Sequence, residues 1–235
     1  MTALGHVEYA ADAKGARLVL GGIYFQAEPG ALNLVACDGN TVAWDRIDVQ
    51  GDSDMAVIVP KSAVQKLISL GIIDDVSVAY NKNSVIFRSG EFTVSSRLIE
   101  GAYIEFGKFF QDASNTAVMY RRQLLEAMNR AKLCMIDRDN VRHPAIFQFS
   151  GAELRIFIED VTTEYSEVLD LDSIVPSEMR IGFNPNKIID TLRAFSSEEI
   201  RLSYTGPKQP MYISDDKSNL KALVLPVATV KAGTS

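Results

Sequence analysis

The side chains able to do chemistry in this 235-residue chain are few, and their spacing is poor for catalysis. Histidine occurs twice, at His6 and His143, with no metal-ligand spacing, so both read as surface or loop residues and no histidine-based catalyst is expected. Cys37 and Cys134 stand alone and read as buried thiols of a protein kept in a reducing cytoplasm. Carboxylates come as pairs at Asp74-Asp75, Asp137/Asp139, Glu159-Asp160 and Asp215-Asp216, a residue type that could hold a metal for phosphoryl chemistry. Each pair falls in a predicted turn or strand end, where aspartate is favoured because it bonds the local backbone. GxSxG, P-loop, GxGxxG and HExxH patterns are all missing. The chain therefore reads as a non-enzyme, with no catalytic residue, no metal ligand and no cofactor.

What remains is electrostatic. A net charge of −6 argues, as an average, against nucleic acid. The signs are segregated, however. Three predicted helices, Lys61–Gly71, Arg121–Leu133 and Asn184–Phe195, carry +2, +3 and +1, which leaves −12 for the rest of the chain. Lys61, Lys66, Arg121, Arg122 and Arg130 supply most of that positive charge. Two explanations stay open at this point. Amphipathic helices need charged outer faces, for which Lys and Arg are good helix formers. Alternatively, the helices share one surface that meets a phosphate backbone while the acidic remainder faces away.

The elements that must position these residues are legible from periodicity. Leu32–Val49, LNLVACDGNTVAWDRIDV, alternates apolar and other residues on both sides of Asp38-Gly39 and predicts a hairpin with a tight two-residue turn. A degenerate copy of its surroundings follows. Residues 22–35 match 144–157, residues 55–70 match 179–194, and VSVAY at 76–80 matches IRLSY at 200–204. Met55 to Met179 and Tyr80 to Tyr204 are both separated by 124 positions, and Leu32 to Leu154 by 122, which predicts a duplicated domain. In the second copy we expect a strand at Thr116–Tyr120, a helix at Arg121–Ile136, a hairpin at Ala145–Val168 with its turn before Leu154, a strand at Met179–Phe183, a helix at Pro185–Phe195 and two closing strands. Pro60 and Pro185 fit the first turn of their helices, where a missing N–H has no cost. In the first copy a helix at Thr2–Ala11 begins almost at once, so the opening strand has no counterpart. The first sheet is then expected to carry one strand fewer, or to take one from elsewhere. The boundaries are set at 1–110 and 115–230, with the linker near Gly107–Asn115.

At 47% hydrophobic residues the chain can bury a real core. No run of about 18 apolar residues occurs, and the N-terminus lacks the pattern of a secretory signal, so a cytoplasmic protein without membrane contact is expected.

Taken together, ACDGNTVAW, VIVPKSAVQKL and VIFRSGEFTVSSRLIEGAY resemble the middle domain of the bacterial sliding clamp, the β subunit of the replicative DNA polymerase. RRQLLEAMNRAKL, MRIGFNPNKIIDTLRAF and the closing LVLPVA resemble its last domain. The likeness runs from about Gly5 to Ala228, and the family's first domain has no counterpart. The resemblance implies an α+β fold of two tandem DNA-clamp domains, each with two helices against antiparallel sheets, built to form a ring. Helices line the hole, sheets form the outer wall, and double-stranded DNA passes through without sequence readout. Implied partners are a DNA polymerase, a clamp loader and further copies of the chain. Bacterial clamps close six domains as a dimer of three-domain chains, and eukaryotic and archaeal clamps as a trimer of two-domain chains, so a homotrimer is favoured over a dimer here.

The resemblance also assigns roles to residues. The loop Lys14–Arg17 corresponds to one that touches duplex, which adds Lys14 and Arg17 to the DNA-binding helix residues named above. The subunit contact would join strand Glu91–Ser96, with Phe92 and Val94, to the helix end at Leu133 and Cys134. A hydrophobic pocket for partner peptides, which the family places between these two domains, maps onto Leu20, Cys37, Gly39, Asn40, Thr41, Val42, Ile104, Lys108, Phe109, Asn184, Lys187, Leu223, Val224, Leu225, Pro226 and Val227. The family's usual His-Arg after the glycine is Asn40-Thr41 here, and an aromatic in the pocket wall is Lys187, which implies a different peptide preference. The competing reading is a clamp-like scaffold or decoy that binds such peptides without encircling DNA.

Overall fold

The computed structural model describes residues 1–12, 15–51, 53–72, 75–135, 143–159 and 164–227. The chain divides into two compact units, Met1–Phe109 with Asn219–Lys221, and Phe110–Ser218 with the segment from Ala222.

The first unit contains α1 (Thr2–Glu8), β1 (Gly22–Glu28), β2 (Ala31–Cys37), β3 (Thr41–Asp48), β4 (Ala56–Pro60), α2 (Lys61–Ser69), β5 (Ser77–Tyr80), β6 (Ser84–Ser89) and β7 (Phe92–Arg97). One antiparallel sheet runs β4-β1-β2-β3 and a second runs β5-β6-β7. α2 buries Ala63, Val64 and Leu67, the i, i+1, i+4 stripe that an amphipathic helix lays on a sheet. α1 buries Ala3, Leu4 and Val7 in the same manner. Phe25 of β1 and Phe87 of β6 meet with ring centroids 6.0 Å apart, which links the two sheets through one core.

The second unit contains β8 (Asn115–Tyr120), α3 (Arg121–Leu133), β9 (Ala145–Glu159), β10 (Glu164–Phe183), α4 (Pro185–Ala194), β11 (Glu199–Tyr204), β12 (Met211–Ser214) and β13 (Lys221–Val224). Its strands run β13-β12-β11-β8, and β9 pairs with β10 in a long hairpin. Phe147 stands edge-on to Phe183 at 5.2 Å, and Phe149 stacks on Tyr204 at 4.3 Å, so strands and hairpin share an aromatic core. Asn184 caps α4 by accepting the Asn186 N–H at 3.0 Å, and Pro185 occupies the first turn. From α1 and from α3 onward each unit runs helix, strands, helix, strands, the second opening with β8 ahead of its helix, and Tyr80 and Tyr204 end β5 and β11.

Several expectations need correction. α1 stops at Glu8 and α3 at Leu133, short of Ala11 and Ile136, and position 136 lies outside the described residues. Pro60 ends β4 and sits one residue before α2, rather than inside its first turn. The turn after β2 is centred on Gly39 and Asn40, with Gly39 at φ +88° and the Asp38 carboxylate accepting the Asn40 and Thr41 N–H groups at 2.8 and 2.7 Å. Every residue of β2 is buried, including Asn33, which accepts the Trp44 indole N–H at 3.0 Å. In the second unit the predicted separate strands are continuous in β9 and β10. Gly151, at φ +57°, bends the chain without ending β9, and the pairing register shifts there instead. Cys134 is half-buried rather than buried.

His6 is not a plain surface residue. Its Nδ1 lies 2.6 Å from the carboxyl group of Asp45, one of the few buried polar side chains of the first unit, and ties α1 to β3.

Candidate functional site

Lys61, Lys66, Arg121, Arg122 and Arg130 lie on α2 and α3, helices whose inner faces are core. On α2, Lys61 is half-buried, donating to the Ala11 carbonyl at 3.1 Å with Glu8 at 3.5 Å, whereas Lys66 is exposed. Arg17 is exposed at the start of the 3-10 turn Leu18–Gly21, and Lys14 lies outside the described residues.

On α3, Arg121 points back into its own unit. Its Nε donates to the Ser197 carbonyl at 2.8 Å and its Nη1 to the Leu192 carbonyl at 3.3 Å, so it ties the start of α3 to the end of α4. Arg122 is exposed and pairs with Glu126 one turn on, at 2.8 Å. Arg130 grips Glu167 of β10 through two bonds of 2.9 and 2.5 Å. The Tyr165 hydroxyl lies 2.6 Å from the same carboxylate. The Arg130 bond holds Glu167 below the usual carboxylate range, while burial pushes the Tyr165 phenol up. The structure thus gives four of the five predicted helix cations carboxylate or carbonyl partners.

The predicted peptide-contacting residues separate by depth. In the first unit Leu20, Cys37, Thr41 and Val42 are buried, while Gly39, Asn40, Lys108 and Phe109 are exposed and Ile104 is half-buried. Burial raises the Cys37 thiol pKa, and its sulfur accepts the Gly39 N–H. In the second unit Leu223 and Val224 are buried, Leu225 and Val227 exposed, Pro226, Asn184 and Lys187 half-buried, and the Val227 N–H donates to Gly182 at 2.9 Å. Of the predicted subunit-contact residues, Leu133 is 83% and Phe92 49% exposed, large apolar groups left on the surface. Val94 and Cys134 are half-buried.

An aromatic cleft was missed by the sequence reading. About 430 Å³ in volume, it is lined by Tyr24, Gln26, Tyr103, Ile104, Glu105, Phe106, Gly107 and Lys108. Tyr24 and Tyr103 stack at 5.0 Å, and Phe106 meets Trp44 edge-on at 5.2 Å. Register pairs Tyr24 with Val35 and Val35 with Trp44 across three strands, a row that no single stretch of sequence displays. Among the described residues no group of three potential metal ligands occurs, and no helix is long and apolar enough to cross a membrane. Asp215 instead caps its own turn, and Asp216 pairs with Arg201.

Two α+β units of matching order, with basic residues on the outer turns of helices that back antiparallel sheets, define the chain as a tandem clamp-domain protein. Residues 1–105 match the central domain of the DNA polymerase III beta subunit and residues 109–228 its C-terminal domain. The chain belongs to the DNA polymerase III beta subunit family. It is 23% identical over 233 residues to the beta sliding clamp of Streptococcus pneumoniae, covering 96% of this chain and 61% of that protein. With the beta sliding clamp of Bacillus subtilis strain 168 it shares 26% identity over 232 residues, covering 94% and 60%. The crystal structure of the beta subunit from DNA polymerase of Streptococcus pyogenes superposes with a TM-score of 0.89 at 23% identity, over 97% of this chain and 63% of that one. The chain thus spans about three fifths of the length of the relatives it matches.

Proposed function

We propose that this chain is a DNA sliding clamp, which closes head to tail into a ring around duplex DNA and tethers a polymerase through a hydrophobic peptide site. Tethering acts through effective concentration, because a partner held on a topologically trapped ring cannot diffuse from its template. The observation that carries the reading is family membership over both domains, supported by the exposure of Phe92 and Leu133, the apolar groups that the resemblance implies for the subunit contact. DNA is held by phosphate contact from Lys66, Arg17 and Lys14, with Lys61, Arg121, Arg122 and Arg130 lending charge to the same helices. Peptide contacts on the first unit are Ile104, Lys108, Phe109, Gly39 and Asn40, with Leu20, Cys37, Thr41 and Val42 behind them. On the second unit they are Leu225, Pro226 and Val227, with Asn184, Lys187, Leu223 and Val224 as their support. A clamp loader is the further expected partner.

Retention on DNA tests ring closure. Protein loaded on a nicked circle should stay through gel filtration and leave once the circle is cut, since a closed ring slides off free ends. Equal loss from circle and linear DNA would sink the encircling reading. The ion pairs of Lys61, Arg122 and Arg130 favour a second reading, a clamp-like scaffold that binds peptides without encircling DNA, because partnered cations offer less to phosphate. That scaffold would still capture a clamp-binding peptide. In either reading Leu225→Asp should weaken the peptide at least about tenfold by placing a charge in an apolar contact, and unchanged affinity would count against the site.

A further inference from the structure

The β9–β10 hairpin of the second unit has two unlike faces. Tyr165 and Glu167 of β10 stand opposite Ile158 and Ile156 of β9, and both reach α3. The Tyr165 hydroxyl donates to the Ala127 carbonyl at 2.9 Å, and Glu167 takes Arg130. The alternate positions, Ser166 opposite Phe157 and Val168 opposite Arg155, therefore point away from α3. Phe157 is nevertheless only 7% exposed. The guanidinium carbons of Arg155 and Arg180 lie over its ring, each 5.6 Å from the centroid, so the two cations are no more than twice that distance apart.

These two arginines lack what the other described arginines of the unit have. Arg122, Arg130, Arg193 and Arg201 face carboxylates, and Arg121 bonds two carbonyls. Arg155 donates from its Nε to the Ser166 hydroxyl at 3.0 Å, and Arg180 has the ring. Glu178, two positions before Arg180, is bonded by the Gln148 amide instead. Among the described residues, then, no carboxylate pairs with either arginine. Stacking on the ring fixes each guanidinium plane and leaves in-plane N–H donors open, so an arriving oxyanion finds them already ordered.

We propose that Arg155 and Arg180, held over Phe157, form a binding site for a phosphate monoester on the hairpin face away from α3. A monoester carries close to two negative charges at neutral pH and three acceptor oxygens, which matches two guanidinium groups. A carboxylate or a phosphodiester brings one charge only. The site is separate from the DNA contacts proposed for α3, because the hairpin stands between Arg155 and that helix.

The test follows the Nε–Hε signals of Arg155 and Arg180 in the isotope-labelled full-length protein at constant ionic strength. Three probes are titrated: inorganic phosphate, a phosphoserine peptide with no other acidic group, and an oligothymidylate with hydroxyl ends. Both signals should move together and saturate with a monoester, at half-saturation of about a millimolar or below near neutral pH. For the phosphopeptide, binding should weaken about tenfold at about pH 5, where nine tenths of the monoester has lost its second charge. Saturation by inorganic phosphate without the peptide assigns a free oxyanion as ligand, and saturation by the peptide assigns a phosphorylated partner. Arg155→Lys joined with Arg180→Lys keeps the charge but not the planar fork, and should weaken either ligand at least about tenfold. The wild-type titration stands by itself should that variant fold poorly. Absence of saturation by either monoester up to about 20 mM, or movement with the oligonucleotide alone, would overturn the proposal.

Discussion

At the residue scale, Asp215 shows why a carboxylate pair need not mean a metal. Burial works against its charged form, but the Ser197 hydroxyl at 2.6 Å, the Ser218 hydroxyl at 2.8 Å and the Ser218 and Lys217 N–H groups at 2.7 and 3.0 Å outweigh that and lower its pKa. A carboxylate whose folded pKa is lowered stabilises the fold above the ordinary aspartate range and ceases to do so as pH falls through the lowered value. Asp215→Ala should therefore cost roughly 2–3 kcal/mol in urea unfolding at pH 7, by leaving those donors unpaired. The gap between wild type and variant should narrow below the ordinary aspartate range, and a gap that stays constant down to acid would contradict the assignment. The preference of aspartate for turns was legible in sequence. The His6–Asp45 and Asn33–Trp44 contacts were not, because each joins residues that only the strand register brings together.

At the element scale, the helices were legible from their apolar stripes, and the duplication from repeated strand, proline and helix blocks. Helix ends were less so, since the apolar stripe of α3 continues to Met135 while the helix stops at Leu133. Nor can sequence say which cations of a basic helix are already engaged. Arg121 and Arg122 are neighbours of identical type, yet one bonds the backbone at the end of α4 and the other faces solvent. Two variants separate these roles. Arg121→Ala should cost about 1–3 kcal/mol by leaving the Leu192 and Ser197 carbonyls without their donor. Arg122→Glu joined with Lys66→Glu should leave stability within about 0.5 kcal/mol, as surface changes do. The double variant should instead weaken DNA retention and flatten its salt dependence, by about one unit of slope for each phosphate no longer neutralised. An unchanged salt slope would remove α2 and α3 from the DNA surface.

At the scale of the whole molecule, two exposed apolar groups stand at element ends, Phe92 at the start of β7 and Leu133 at the end of α3. Leu133 and Phe92 are large hydrophobic groups left 83% and 49% exposed, and β7, which carries Phe92, ends its sheet among the described residues. A head-to-tail contact between two such surfaces is heterologous, so it either closes by rotation or grows into an open filament. In the proposed ring of six clamp domains, which the resemblance implies, this two-domain chain takes three copies. Light scattering at micromolar concentration should then report a mass about three times 25.9 kDa. Leu133→Glu should shift it toward one copy, since a carboxylate buried against an apolar strand edge costs several kcal/mol unless paired. Melting of the separated protomers should be little changed, because Leu133 contributes almost no burial to its own unit. A wild-type protein that stays monomeric at every concentration, or a mass that rises without limit, would refute the closed ring.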